Sequence, residues 1–322
     1  MSGAAGVKGP AKQRGLLRSS LLVSVMTLLS RVLGLIRDVV IANFLGASSN
    51  ADCFFVAFKI PNFLRRLFAE GAFSQAFVPV LSEYRENGSK ESIKLLVDRV
   101  AGALGGVLLL VTSVAVLASP IVATVFAPGF RADPAKFQLT SDMIRITFPY
   151  LFLISMTGFA GGILNTFGRY AVPAFTPVLL NVCMIVAAVH FSQYFAEPAM
   201  ALAWGVLMAG AVQMVFQMPF LQRIQMLPRP RWAWEDPGVQ KIITLMIPAL
   251  FGVSISQINL LLDTILASFL PTGSISWLYY SDRLVELPLG VFAIAIATVV
   301  LPNLSRLKAG GNEVAFGATL DW

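Results

Sequence analysis

The sequence predicts an all-α polytopic membrane protein, and three observations predict it. Of its 322 residues 57% are hydrophobic and only 13% charged, with a mean hydropathy of +0.75, a composition that ordinary soluble domains do not have. Eight mostly apolar stretches reach the roughly 20 residues that a helix needs to cross a bilayer. Lysine and arginine gather on alternate loops, the asymmetry that orients membrane proteins.

Residues 1–19 are polar and basic, and the apolar run after them has no small-x-small cleavage site and continues into Arg31. A cytoplasmic tail is expected there rather than a signal peptide. The spans are expected at 20–45, 51–84, 91–119, 141–167, 172–195, 200–222, 239–270 and 274–304. Several exceed one crossing, so tilt or kinks follow. Pro61, Pro79, Pro149, Pro248 and Pro288 mark the kinks, and the second span is expected to break near Glu70 and Gly71.

Basic residues crowd the tail, the connections after the second, fourth and sixth spans and the stretch after the eighth, whereas the opposite loops hold only Arg131 and Lys136. Both ends of the chain are therefore expected in the cytoplasm. The net charge of +7 is accounted for by leaflet anchoring and by cations inside the spans, and does not point to nucleic acid. Trp232 and Trp234, within PRPRWAWEDPG, read as an aromatic anchor at the inner headgroups. Cys53 and Cys183 lie in apolar surroundings without a CxxC or histidine partner, so buried thiols are expected. His190, the only histidine, reads as interfacial. No P-loop, nucleophile elbow or paired-acid metal motif is present, so ATP-driven or hydrolytic chemistry has no support.

The informative residues are the charges inside apolar segments. Arg31, Arg37, Lys59, Arg65 and Arg66 occupy the first two spans. A cation near the bilayer centre costs about 2.5–3.5 kcal/mol on insertion scales, so such residues face protein or a water-filled cavity. Asp38 lies seven residues after Arg31 and shares its face; pairing with one arginine would neutralise that one and leave the other. Asp52, Lys59 and Arg66 recur at seven-residue steps, and snorkelling is the competing account for residues near a membrane surface. The eighth span carries Tyr279, Asp282, Arg283 and Glu286 on one face.

In the seventh span Ser256, Asn259 and Asp263 form a polar stripe. It suits a sodium ion or proton, or a hydrogen bond to a neighbouring helix. The middles of the third, fifth and sixth spans lack Asp, Glu, Lys and Arg and read as scaffold. Several arginines in an apolar chamber suit a phosphate or diphosphate carried on a lipid tail.

Ala42-x-Phe44-Leu45 recurs as Ala267-x-Phe269-Leu270, and Pro79-x-Leu81-Ser82 as Pro302-x-Leu304-Ser305. A parallel duplication of six helices per repeat follows, with the chain ending two helices into the second copy. Truncation is the expectation from this pattern.

TLLSRVLGLIRDVVIANFLGA, ADCFFVAFKIPNFLRRLFAEGAFSQAFVPVLSEY and WLYYSDRLVELPLGV closely resemble the MurJ/MviN family of lipid II flippases, in the multidrug/oligosaccharidyl-lipid/polysaccharide exporter superfamily. The resemblance runs from about Leu16 onward. It implies a two-lobe transporter of fourteen helices, of which this chain holds about eight. The bounds would be a tail at 1–19, an N-lobe at 20–223, a cytoplasmic loop at 224–238 and the start of a C-lobe at 239–322.

By the same resemblance Arg31 and Arg37 of SRVLG-x-x-RD, Arg65 of PN-x-x-RR and Arg283 would bind substrate. Asp38, Asp52, Glu70, Asp282 and Glu286 would be supporting acids. Asp263 matches a sodium ligand in position, although some relatives carry Asn there, so no cofactor is implied beyond Na⁺ as a candidate coupling ion. The implied protein is a transporter and not an enzyme: a monomeric lipid II flippase of the bacterial inner membrane. Its implied partners are lipid II, membrane lipids and the cell-wall synthesis or division machinery. A flippase for another polyprenyl-linked oligosaccharide, a drug exporter, and a membrane enzyme acting on polyprenyl diphosphates are the alternatives.

Overall fold

The computed structural model describes residues 10–295 and Gly317, which are helical with no strand among the described residues. The repeat matches at Pro302, Leu304 and Ser305 lie outside the described residues, as do the side chains of Glu70 and Ser256. Two compact units divide the chain, Met1–Trp277 and Leu278–Trp322.

In the first unit, α1 (Pro10–Leu45) leads through a short turn into α2 (Ser49–Leu64). The Ser48 hydroxyl accepts from the Ala51 N–H at 3.2 Å and starts the helix. The second expected span does not break at Gly71. It stays helical and widens to a π-helix over Arg65–Ala72 before continuing as α3 (Phe73–Asn87), the kind of bulge that recurs at functional sites. Pro61 lies inside α2 and has no N–H for the Ala57 carbonyl four residues earlier. The Thr147 hydroxyl donates to that carbonyl instead, at 3.0 Å.

α4 (Lys90–Leu117) is capped by the Ser89 hydroxyl, and a break at Ala118 leads into α5 (Ser119–Phe126), a continuation past the expected end of the third span. The fourth expected span is the pair α6 (Pro134–Thr147) and α7 (Pro149–Thr166). It begins earlier than the hydropathy indicates because Asp133 accepts from the N–H groups of Ala135 and Lys136, with Pro134 at the first helical position. Then come α8 (Ala171–Val186), which ends in a π-helical stretch holding the exposed His190, α9 (Pro198–Arg223) and α10 (Pro237–Ala267). α11 (Ser274–Ala295) starts at the end of the first unit and runs into the second.

Five described segments are long and apolar enough to cross a membrane: Lys90–Leu117, Pro134–Thr166, Ala171–Tyr194, Pro198–Arg223 and Pro237–Ser254. The other expected spans, α1, α2 with α3, and α11, are helical too. They carry every expected site residue except Asp263, which lies on α10.

Packing explains which faces are apolar. Phe73 and Phe77 of α3 and Phe159 of α7 form an aromatic cluster with centroids 5.0–6.0 Å apart. Leu81, Leu96, Val100 and Ile163 pack around it. On α1, Leu21, Val25, Leu28, Val32, Ile36 and Val39 are exposed at three- and four-residue spacing, as a lipid-facing stripe requires. Another face of α1 lies on α8.

The connection between α9 and α10 is strapped along α4. Asp98 accepts from the Arg229 N–H through its carboxylate at 2.7 Å and from the Arg231 N–H through its carbonyl at 2.9 Å. Gly102 lets the connection lie flat, since a Cβ there would sit 2.1 Å from the Arg231 carbonyl oxygen. Trp232 and Trp234 stack at 6.1 Å and remain exposed. Ion pairs of Arg99 with Asp236 and Lys241 with Glu83 then fix the start of α10.

Candidate functional site

Arg37 on α1 is buried, 5% exposed. Its Nε and Nη2 donate to one oxygen of Asp38 at 2.9 and 2.6 Å. Adjacent helical residues point about 100° apart, so the long arginine arm folds back on its neighbour. Nη1 donates to the Asn181 side-chain oxygen of α8 at 3.0 Å. The Asn181 amide nitrogen in turn donates to the Ser30 carbonyl at 2.9 Å. Asn181 is 5% exposed and uses its acceptor and its donor to join two helices.

Of the two arginines expected to compete for Asp38, the structure pairs Arg37 with it, while Arg31 on the same helix is exposed. Arg65 opens the π-helical stretch, half-buried, with its Nε donating to the Asn62 oxygen at 3.3 Å. Lys59 on α2 and Arg66 on the π-helical stretch are both half-buried.

A second constellation forms around Asp52 at the start of α2, 1% exposed. One carboxylate oxygen accepts from Lys136 Nζ at 3.1 Å and from the Gly273 N–H at 2.8 Å. The other accepts from the Ser276 N–H at 3.0 Å and its hydroxyl at 2.7 Å. Asp52 thus caps the start of α11 from outside while pairing with α6. Gly273 has φ +99°, a conformation that favours glycine. Lys136 also sits 4.1 Å from the Phe130 ring centroid.

In the second unit, Arg283 Nη1 donates to Glu286 at 2.6 Å and its guanidinium lies 5.1 Å from the Tyr279 ring centroid. Three of the four residues expected on one face of the eighth span therefore touch, while Asp282 beside them is half-buried. Asn259 and Asp263 lie on an exposed face of α10. Among the described residues no three of His, Cys, Asp and Glu gather closely enough to hold a metal ion.

Sequence reasoning missed Asn181 and the pairing of Lys136 with Asp52. For Asn181 a signal existed, an amide in an otherwise apolar span.

A profile of the lipid II flippase MurJ family matches residues 41–322. The chain belongs to the lipid II flippase MurJ family. A probable lipid II flippase MurJ of Vibrio cholerae serotype O1 is 56% identical over 314 residues, 95% of this chain and 60% of that protein. Another of Haemophilus influenzae is 53% identical, over 92% of this chain and 61% of its own length. The chain thus spans about 60% of the length of these relatives.

A solved lipid II flippase MurJ in an inward closed conformation matches with a TM-score of 0.74 at 28% identity, over 93% of this chain and 61% of that one. An outward-facing multidrug resistance transporter of the MATE family matches at 0.58, over 84% of this chain and 60% of that one, and at 14% identity it speaks for the fold alone. MurJ-family membership bears out the resemblance carried by the SRVLG-x-x-RD and PN-x-x-RR stretches, and the all-α membrane fold with it.

Proposed function

We propose that the whole protein is a lipid II flippase. It moves the undecaprenyl-diphosphate-linked peptidoglycan precursor from the inner to the outer leaflet of the bacterial inner membrane by alternating access. The observation that carries this reading is Arg37, a buried guanidinium held between Asp38 and Asn181 in a chain of the MurJ family. A carboxylate paired with a guanidinium occupies the position that a phosphate would take, so Asp38 is the resting partner and the diphosphate the transported one. Arg31 completes the clamp, Arg283 is a further substrate-binding residue in this reading, and Arg65 shapes the entrance beside the π-helical stretch.

The acids Asp52, Glu70, Asp282 and Glu286 hold charges and helix ends in place. The Asp52 cluster binds the starts of α2, α6 and α11 together, and that end of the bundle opens only when it releases. Both termini of this chain face the cytoplasm, and the protein acts as a monomer, alongside cell-wall synthesis or division machinery. Asp263, exposed on α10, is the candidate sodium ligand.

The test is complementation of a strain depleted of its own flippase by the whole protein. Arg37→Ala and Arg283→Ala abolish growth while the variants insert normally in the membrane. Normal growth with both would overturn the clamp. Ion-dependent transport that persists unchanged in Asp263→Ala removes the sodium assignment.

A further inference from the structure

A cavity of about 380 Å³ opens in the first unit between the start of α1, the turn from α7 into α8, and the end of α9. By helix rise, Leu22 in its wall is about 22 Å along α1 from Arg37, so this is a separate place from the clamp. The walls are of two kinds. Leu22, Val172 and Phe220 make an apolar side, and Arg169, Tyr170 and Arg223 a polar one.

Local backbone chemistry builds the polar side. α7 ends where the Arg169 N–H donates to the Leu164 carbonyl at 2.8 Å and Gly168 turns with φ +75°. That turn puts Arg169 and Tyr170 directly before the first residue of α8, a helix start with no side-chain cap. Arg223, at the last residue of α9, lies 5.7 Å from the Phe220 ring centroid. Among the described residues neither Arg169 nor Arg223 forms an ion pair with a carboxylate. The cavity lining contains no acid, and the sequence has none before Asp38.

We propose that this cavity seats the phosphate of one anionic glycerophospholipid, whose acyl chains lie along Leu22 and Phe220. Charge decides the headgroup. Two unpaired guanidiniums and an uncapped helix start all favour an anion, and basic pockets between the ends of membrane helices suit such headgroups. The apolar wall decides that the anion belongs to a lipid and not to a free ion. It is continuous with the lipid-facing stripe of α1, where Leu21 is 68% exposed and Val25 51%. The site does not depend on the clamp, so it stands or falls separately from the transport reading.

The test is native mass spectrometry of the whole protein in a nonionic detergent, titrated with phosphatidylglycerol, phosphatidylcholine or inorganic phosphate. One phosphatidylglycerol is retained in preference to phosphatidylcholine, and millimolar inorganic phosphate does not displace it. Arg169→Gln with Arg223→Gln weakens that retention about thirty-fold, the paired lysine substitutions restore most of it, and Arg131→Gln in the turn after α5 leaves it unchanged. The proposal is overturned by equal retention of the two lipids, by undiminished binding in the glutamine variant, by displacement with phosphate alone, or by lysine variants that bind no better than glutamine ones. Loss of undecaprenyl diphosphate binding instead of phosphatidylglycerol binding in the glutamine variant would likewise overturn it, and would assign the cavity to the transported lipid.

Discussion

Replacing Asp52 by Asn tests whether the cluster at the start of α2 works as a unit. The substitution keeps the volume of the side chain and removes the charge facing Lys136, which is itself only 8% exposed. A buried charge stripped of its partner costs about 3–5 kcal/mol, so Asp52→Asn is expected to destabilise the protein by that amount. Lys136→Met leaves the carboxylate with its Gly273 and Ser276 donors; with those bonds retained the loss is about 2–3 kcal/mol.

In the double variant no orphan charge remains, and the combined loss falls short of the sum by about 2 kcal/mol, within the range of coupled neighbours. Equilibrium unfolding of the whole protein and the three variants in one detergent measures all four corners of the cycle. Losses that add to within about 0.5 kcal/mol would refute the reasoning and leave Asp52 a helix cap with no electrostatic tie to α6.

Three further outcomes follow from the same geometry. Asn181→Leu removes the hydrogen bond to Arg37, a bond to a charged group worth about 1.5–3 kcal/mol, and is expected to weaken binding of undecaprenyl diphosphate at least tenfold. Isothermal titration checks this, with Asn181→Gln retaining part of the affinity. Thr147→Val leaves the Ala57 carbonyl without its hydroxyl donor and lowers stability by about 1–3 kcal/mol. Adding Pro61→Ala supplies a backbone N–H in its place and recovers part of that loss in a thermal melt. Gly102→Val drives a side chain into the Arg231 carbonyl, lifts the strap off α4, and makes the bond after Arg231 a site of limited trypsin cleavage that the native protein resists.

How far the sequence revealed all this depends on the range of the interaction. The helices followed from composition, because apolar length is a local property of the chain. The contact of Tyr279, Arg283 and Glu286 was legible for the same reason, since helical spacing alone puts them on one face. Arg37 and Arg31 differ only in which one reaches Asp38, and that choice depends on Asn181 in a helix that hydropathy marks as scaffold.

The partners of Asp52 lie 84 residues away at Lys136 and 221 or more away at Gly273 and Ser276. No periodicity connects such positions. Asp98 escaped notice because its work is done on the backbone of a loop, and a carboxylate near a helix start looks the same whether or not a loop crosses it. The π-helical stretch was anticipated only as a weak point near Gly71. A break and a bulge place the same demands on local sequence and differ in whether the surrounding helices keep the chain coiled.

The proline in α2 has a consequence for how the protein is made. The Ala57 carbonyl reaches the bilayer ninety residues ahead of the threonine that satisfies it. Until the fourth span arrives, the second is an incomplete insertion product carrying a bare acceptor in hydrocarbon, which favours its being held at the translocation channel or shielded by a neighbouring helix. Docking of α6 then releases it. Biogenesis is thereby ordered by one missing amide proton, and a chain halted between the two spans is the intermediate most exposed to membrane quality control.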